Sequence, residues 1–163
     1  MAAMTADAYC STVGNITTLQ FKANADTFYQ GAICYADSAG EVQPTYASGD
    51  VAIGISPIQQ VAAQDTEVKL IVAGAVWLPV GTSIAAADEG DWLCNDGPAD
   101  TDNPADMESA GDLTLAAGDM IIGKIMRVTA SQMLIWLDPN MMGCVYFTNG
   151  TPANYSGWGK ELA

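Results

Sequence analysis

Residues 49–79, GDVAIGISPIQQVAAQDTEVKLIVAGAVWLP, decide the fold. Val51 to Ile58 mixes Val and Ile with Gly54, where a strand can bulge or let another backbone come close. From Thr66 polar and apolar residues alternate through Lys69. A continuous apolar run then follows, as expected of a strand that starts at an edge and ends buried on both faces. Gly74 interrupts the run, and Pro79, with no N–H to donate, ends it. The stretch predicts two apolar strands joined by a polar connection.

The rest of the composition agrees with a β protein. The chain has 163 residues, enough for one domain with a sizeable core, and is 50% hydrophobic but only 15% charged, against general disorder. Its net charge is -14, there is no histidine, and the only cations are Lys22, Lys69, Lys124, Arg127 and Lys160. Binding a phosphate backbone needs Lys and Arg to displace counterions, so the charge argues strongly against nucleic acid as a partner. Cys10, Cys34, Cys94 and Cys144 form no C-x-x-C pair, which argues against zinc; Cys34 and Cys94 read as small buried hydrophobes. The start, MAAMTADAYC, lacks the basic and apolar parts of a signal peptide, and no stretch reaches the length of a membrane span. Assembly in a reducing cytoplasm, away from membranes, is the expectation.

Three divisions follow along the chain. Residues 1–26 read as an N-terminal arm whose one alternating stretch carries Leu19 and Phe21, either an ordinary first strand or a segment that adds to a partner's sheet. Residues 27–139 read as the β body: TFYQGAICY, a hairpin tip at Asp37, Ser38 and Gly40, and connections short enough to favour antiparallel pairing. Within it, residues 95–112 read as a long exposed acidic loop that a Gly-Ser linker should replace without loss of fold; its Asp100 and Asp102 lack the Gly and Glu of an EF-hand. GDMIIG at 118–123 repeats the spacing of GDVAIG at 49–54, read as two hairpins obeying one rule. Trp77 and Trp136 lie inside apolar runs and read as core, with Val51, Ile53, Val68, Leu70, Val72, Val76, Ile122, Ile125, Leu134 and Leu137. Residues 140–163 form a C-terminal strand and tail in which Tyr155 and Trp158 need something to rest on. Leu19, Phe21, Tyr155 and Trp158 are thus the candidate partner-binding residues.

Catalytic machinery is hard to assemble from this chain. Without histidine there is no Ser-His or Cys-His pair, and no phosphate loop, G-x-S-x-G elbow or dinucleotide fingerprint occurs. The carboxylates cluster in the loop least able to hold them rigidly. No enzyme activity and no cofactor are expected.

The run A-x-x-F-Y-Q-G from Ala25, GDVAIGIS, VAGAVWLP of Val72–Pro79, AGDMIIGKI of Ala117–Ile125 and MLIWLDP resemble the capsid decoration, or cement, proteins of tailed bacteriophages, over roughly 25–139. The resemblance implies an all-β, compact β-tulip or β-barrel-like body, here with an extended N-terminal arm and C-terminal tail. It implies a place on the outer capsid surface of the virion, the major capsid protein as partner, and assembly with itself as a homotrimer or homodimer. The alternative is a carbohydrate-binding β module of a fibre or adhesin, with Trp92 and Trp158 as its aromatic platforms.

Overall fold

The computed structural model describes residues 3–47, 49–81, 83–95, 102–110 and 120–143, and two short strands in the tail. The chain is all-β, and among the described residues there is no helix of seven residues or more. Strands β1 (Ser11–Ala23), β3 (Ile33–Ala36), β4 (Val42–Gln43), β5 (Val51–Ile55) and β7 (Thr66–Pro79) form a closed ring in the order β1-β4-β3-β5-β7, because β7 pairs back onto β1. Beyond β7 the sheet continues through β11 (Gln132–Leu137), β10 (Met120–Val128), β8 (Trp92–Asn95) and β9 (Glu108–Ser109). A separate pair, β2 (Asp26–Phe28) with β6 (Gln60–Ala62), lies beside the ring. Among the described strands all pairings are antiparallel except β1 with β4, which touch in parallel at Ala23 and Val42.

The quoted stretch supplies β5 and β7, but they are not a hairpin: they pair only at Ile55 and Ile71, with β6 between them in sequence. A bulge in β7 is the reason one strand can serve both halves of the sheet. The register against β1 passes from Thr18 opposite Ile71 to Thr17 opposite Ala73, so one residue of β7 is extra. That extra residue shifts the alternation, and Ile71, Val76 and Leu78 all face the main core while Val68 and Leu70 face a smaller one. Gly74 sits at φ +110, and a Cβ there would stand 2.8 Å from the Asn15 carbonyl, so no other residue fits beneath β1.

The main core holds Ile33, Tyr35, Ile55, Leu93, Met107, Met120, Ile122, Ile125, Met133 and Ile135 with that half of β7. The smaller one is formed by Phe28, Cys34, Val42, Ile53, Val68 and Leu70, with Phe21 packed against it. Cys34 and Cys94 are fully buried, as expected, and desolvation pushes the Cys34 thiol well up. Of the expected core residues, Val51 and Leu134 are only half-buried. The hairpin tip is as read: the Asp37 carboxylate accepts the N–H groups of Ala39 and Glu41, which holds its carboxyl below the usual range, and Gly40 takes φ +82. The two I-G steps share a physical cause. A Cβ on Gly54 would lie 2.8 Å from the Ile71 carbonyl and one on Gly123 2.7 Å from that of Trp136, so each glycine lets a neighbouring strand come close.

Two boundaries differ from the sequence reading. Residues 11–23 are no arm: they are β1, paired along its length with β7, and truncating 1–22 would open the ring. Even the residues before it are tied down, with Ala8 N–H donating to the Gln30 carbonyl and Met4 N–H to the Asp102 carboxylate. Nor is the acidic loop exposed throughout. Asp102 and Met107 are buried, Glu108–Ser109 pairs with β8, and the Asp102 carbonyl accepts the N–H of Ile33. Residues 96–101 and 111–119 lie outside the described residues. Acidic spacing concealed an apolar anchor, Met107, that the main core closes over.

A Gly-Ser linker in place of residues 102–110 should therefore destabilise the fold. Met107→Ala alone should cost about 2–5 kcal/mol in denaturant unfolding, as a buried large-to-small change. Burial, with lesser contributions from Asp26 and Asp106, raises the Asp102 carboxyl above its usual 3.8, against the opposing pull of the Met4 N–H. The folded state then holds a proton that the unfolded chain has released, so the cost of ionising Asp102 is absent below the unfolded value and complete above the folded one. Asp102→Asn should gain stability relative to the wild type as pH rises from about 3 to about 7, read from melting curves across that range.

Candidate functional site

On β7, β11, β10 and β8 the residues between the core positions point away from the main core. The register aligns them across five strands: Val13 beside Ala75, Ala75 beside Trp136, Trp136 beside Lys124 and Lys124 beside Trp92. A second row runs from Ser11 through Trp77 and Leu134 to Arg127. Their sequence neighbours Val76, Leu78, Ile135, Ile125 and Leu93 fill the core, and the period of two fixes the alternation. On this outer side Trp136 is 48% exposed, Val13 45% and Met126, at the β10 bulge, 50%, while Trp77 and Trp92 are half-buried. Three of the chain's four tryptophans share this face.

Electrostatics set the face apart. Of 19 acidic residues none falls within β1, β8, β10 or β11, and β7 has only Glu67, at its far end. Two of the five cations, Lys124 and Arg127, stand on the face, and the Lys124 ammonium lies 5.1 Å from the centre of the Trp92 ring. Carboxylates border it: Glu89 and Asp91 before β8, Glu108 on β9, Asp138 after β11. Lys22 differs, being bound to Asp65 at 2.8 Å.

Rigidity comes from the backbone around the face. Ile125 N–H donates to the Asp91 carbonyl, Gly90 N–H to that of Ile125, and Val128 N–H to the Glu89 carboxylate, so the turn before β8 is sewn to β10. Beneath Trp92, Cys94 and Ile121 form a small apolar cluster closed by Ala110 and Met141. A groove of about 380 Å³ at one end of the sheet is lined by Val80, Ile84, Ala85, Ala86, Val128, Thr129 and Ala130, with no ionisable side chain. Among the described residues no three Cys, Asp or Glu side chains converge as metal ligands would.

The sequence-predicted residues are dispersed. Leu19 is 47% exposed on β1, whereas Phe21 two residues on packs against the smaller core. Tyr155 lies on a two-residue strand, β12 (Tyr155–Ser156), paired with β13 (Lys160–Glu161); Trp158 lies outside the described residues. Trp136, read as core, is instead a surface residue, because QMLIWL is apolar on both faces and hides its alternation. The overlooked signal was the lack of any carboxylate across four strands that turn out to be neighbours.

Comparison with protein-family models, with curated proteins and with solved structures found no match for this chain. No helix among the described residues is long and apolar enough to cross a membrane.

Replacing Trp136 by Ala should cost less than about 2 kcal/mol, since half of the ring is already in water. Ile135→Ala, next in sequence but facing the core, should cost about 2–5 kcal/mol. Equal losses in denaturant titrations would show that Trp136 is buried in solution.

Proposed function

We propose that this protein is a structural component of a tailed-phage virion, a decoration protein that binds the outer capsid surface and stabilises the shell at junctions between major capsid subunits. One observation carries the reading: a rigid, tryptophan-bearing sheet face without carboxylates on a chain of net charge -14. Such a face suits a protein partner, because aromatic side chains and Arg dominate binding where charged residues are sparse. Acidity elsewhere favours a position outside the shell, away from packaged DNA. The closed β ring gives a stiff body for holding neighbouring subunits, and the reading requires no enzyme activity or cofactor. The resemblance of the residue runs in 25–139 to decoration proteins supports the same conclusion. In this reading the anchors are Trp136, Trp92, Lys124 and Arg127 on the face, with the tail residues Tyr155 and Trp158 as further candidates.

A second reading rests on the exposure of Trp136 beside Lys124: an aromatic platform of this kind also suits stacking on a sugar ring, as in a carbohydrate-binding module of a fibre or adhesin.

The test is to mix the purified protein with undecorated heads, count bound copies, and measure the heat resistance of the heads. Wild type should bind to a fixed stoichiometry and raise that resistance, while the Trp136→Ala, Arg127→Glu double variant, with little change in its own melting temperature, should lose at least about tenfold in affinity. Tryptophan fluorescence that responds to sugars, with no binding to heads, would replace the first reading by the second.

A further inference from the structure

The cations of the outer face stand inside a border of carboxylates, yet those carboxylates are turned to other donors. Glu89 accepts the Val128 N–H at 2.9 Å, Asp91 the Ser109 hydroxyl at 3.4 Å and Asp138 the Asn140 N–H at 2.9 Å. Among the described residues Lys124 and Arg127 enter no ion pair, unlike Lys22, which Asp65 and Glu41 hold. Lys124 lies over the Trp92 ring instead. The polar side-chain atoms of Trp77, Trp92, Lys124, Arg127 and Trp136 are donors without acceptor capacity. Ser11 and Gln132, which can also accept, stand at the ends of the face.

Resting on the capsid reading, we propose that the surface received by this face is an apolar patch of the major capsid protein that carries at least two carboxylates, one meeting Arg127 and one Lys124. Any partner that covers the face takes water from both cations. A purely apolar cover would leave two buried charges unpaired, whereas carboxylates pair with them in the same dry contact. Arg127 is exposed, and its planar fork suits one carboxylate held by two hydrogen bonds. The apolar part of the patch then rests on Trp136, Leu134 and Trp77, which lie between the cations and β1. Charge complementarity selects this occupant over others. The charge of a nucleic acid is continuous, so a strand leaving the face would meet Glu89, Asp91 and Asp138. A neutral sugar needs acceptors for its hydroxyl hydrogens, and the middle of the face presents donors. A protein surface can place carboxylates at its centre and keep them from its rim.

The test compares binding of full-length Arg127→Gln, Lys124→Gln and Lys69→Gln with wild type on undecorated heads, each variant losing one positive charge. The first two should bind about tenfold more weakly, while Lys69→Gln, at an exposed position of β7 ahead of Ile71, should stay within about twofold. Lys124→Arg keeps the charge and should restore binding, which separates pairing from packing over Trp92. Heads whose surface carboxylates are amidated with carbodiimide and glycinamide, and which stay intact by electron microscopy, should lose wild-type binding to at least the same degree. Wild type that binds heads while Arg127→Gln and Lys124→Gln bind equally well, or that decorates amidated heads as fully as untreated ones, would overturn this inference and leave the capsid reading standing. Wild type that does not bind heads would overturn both, and a saturable tryptophan response to a uronic acid oligosaccharide in that case would give the face to an acidic glycan.

Discussion

The whole sheet depends on β7 having one residue more than its partner β1 between Ile71 and Ala73. Without that bulge the period of two would turn Val76 and Leu78 away from the core that Ile71 faces, and the halves of the strand could not serve one interior. With it, β7 closes the ring through β1 and β5 at one end and carries β11 at the other, from Gly74 to Pro79. The same shift determines the opposite side. Val68 and Leu70 are covered by Phe28 and its neighbours, whereas Ala75 and Trp77, farther along that side, belong to the outer face. The smaller core and the candidate binding surface are therefore two stretches of one side of one strand.

Edges of this strand are closed by unusual means. Ahead of Ile71 neither β5 nor β11 reaches β7, and the Gln60 side chain takes their place: its carboxamide oxygen accepts the Lys69 N–H at 2.8 Å and its nitrogen donates to the Lys69 carbonyl at 2.9 Å. A primary amide thus presents the donor and acceptor that a paired peptide would, and the Lys69 backbone keeps both partners where no strand supplies them.

Strand identity was largely legible because β-branched runs and turn residues are local signals. Thr66–Pro79 and the Asp37–Gly40 turn read correctly for that reason. What depended on distant contacts was not legible. Met107 sits among acids and prolines, and nothing nearby in sequence says that the main core closes over it. Trp136 looked buried because Leu134 and Trp136 make the outer positions of β11 as apolar as the inner ones, so hydrophobicity alone could not say which side meets water. The face itself exists only in the strand order. Residues 11–23, 92–95, 120–128 and 132–137 have no carboxylate and 66–79 only Glu67, and that shared scarcity acquires meaning only when the strands lie side by side.

The parallel contact of Ala23 with Val42 and the long pairing of β1 with β7 also set an order of events during synthesis. β1 leaves the ribosome first, yet its nearest β7 partner, Thr66 opposite Ala23, follows more than forty residues later. Until then β1 is open on both edges. The β3–β4 hairpin and the β10–β11 hairpin close locally and can form early, while ring closure waits on a non-local search, which slows folding and lengthens the exposure of a strand whose one charge is Lys22 near its end. The nascent chain is thus most vulnerable to misassociation between the emergence of Ala23 and that of Pro79, and a chaperone that binds extended apolar segments would find its target there.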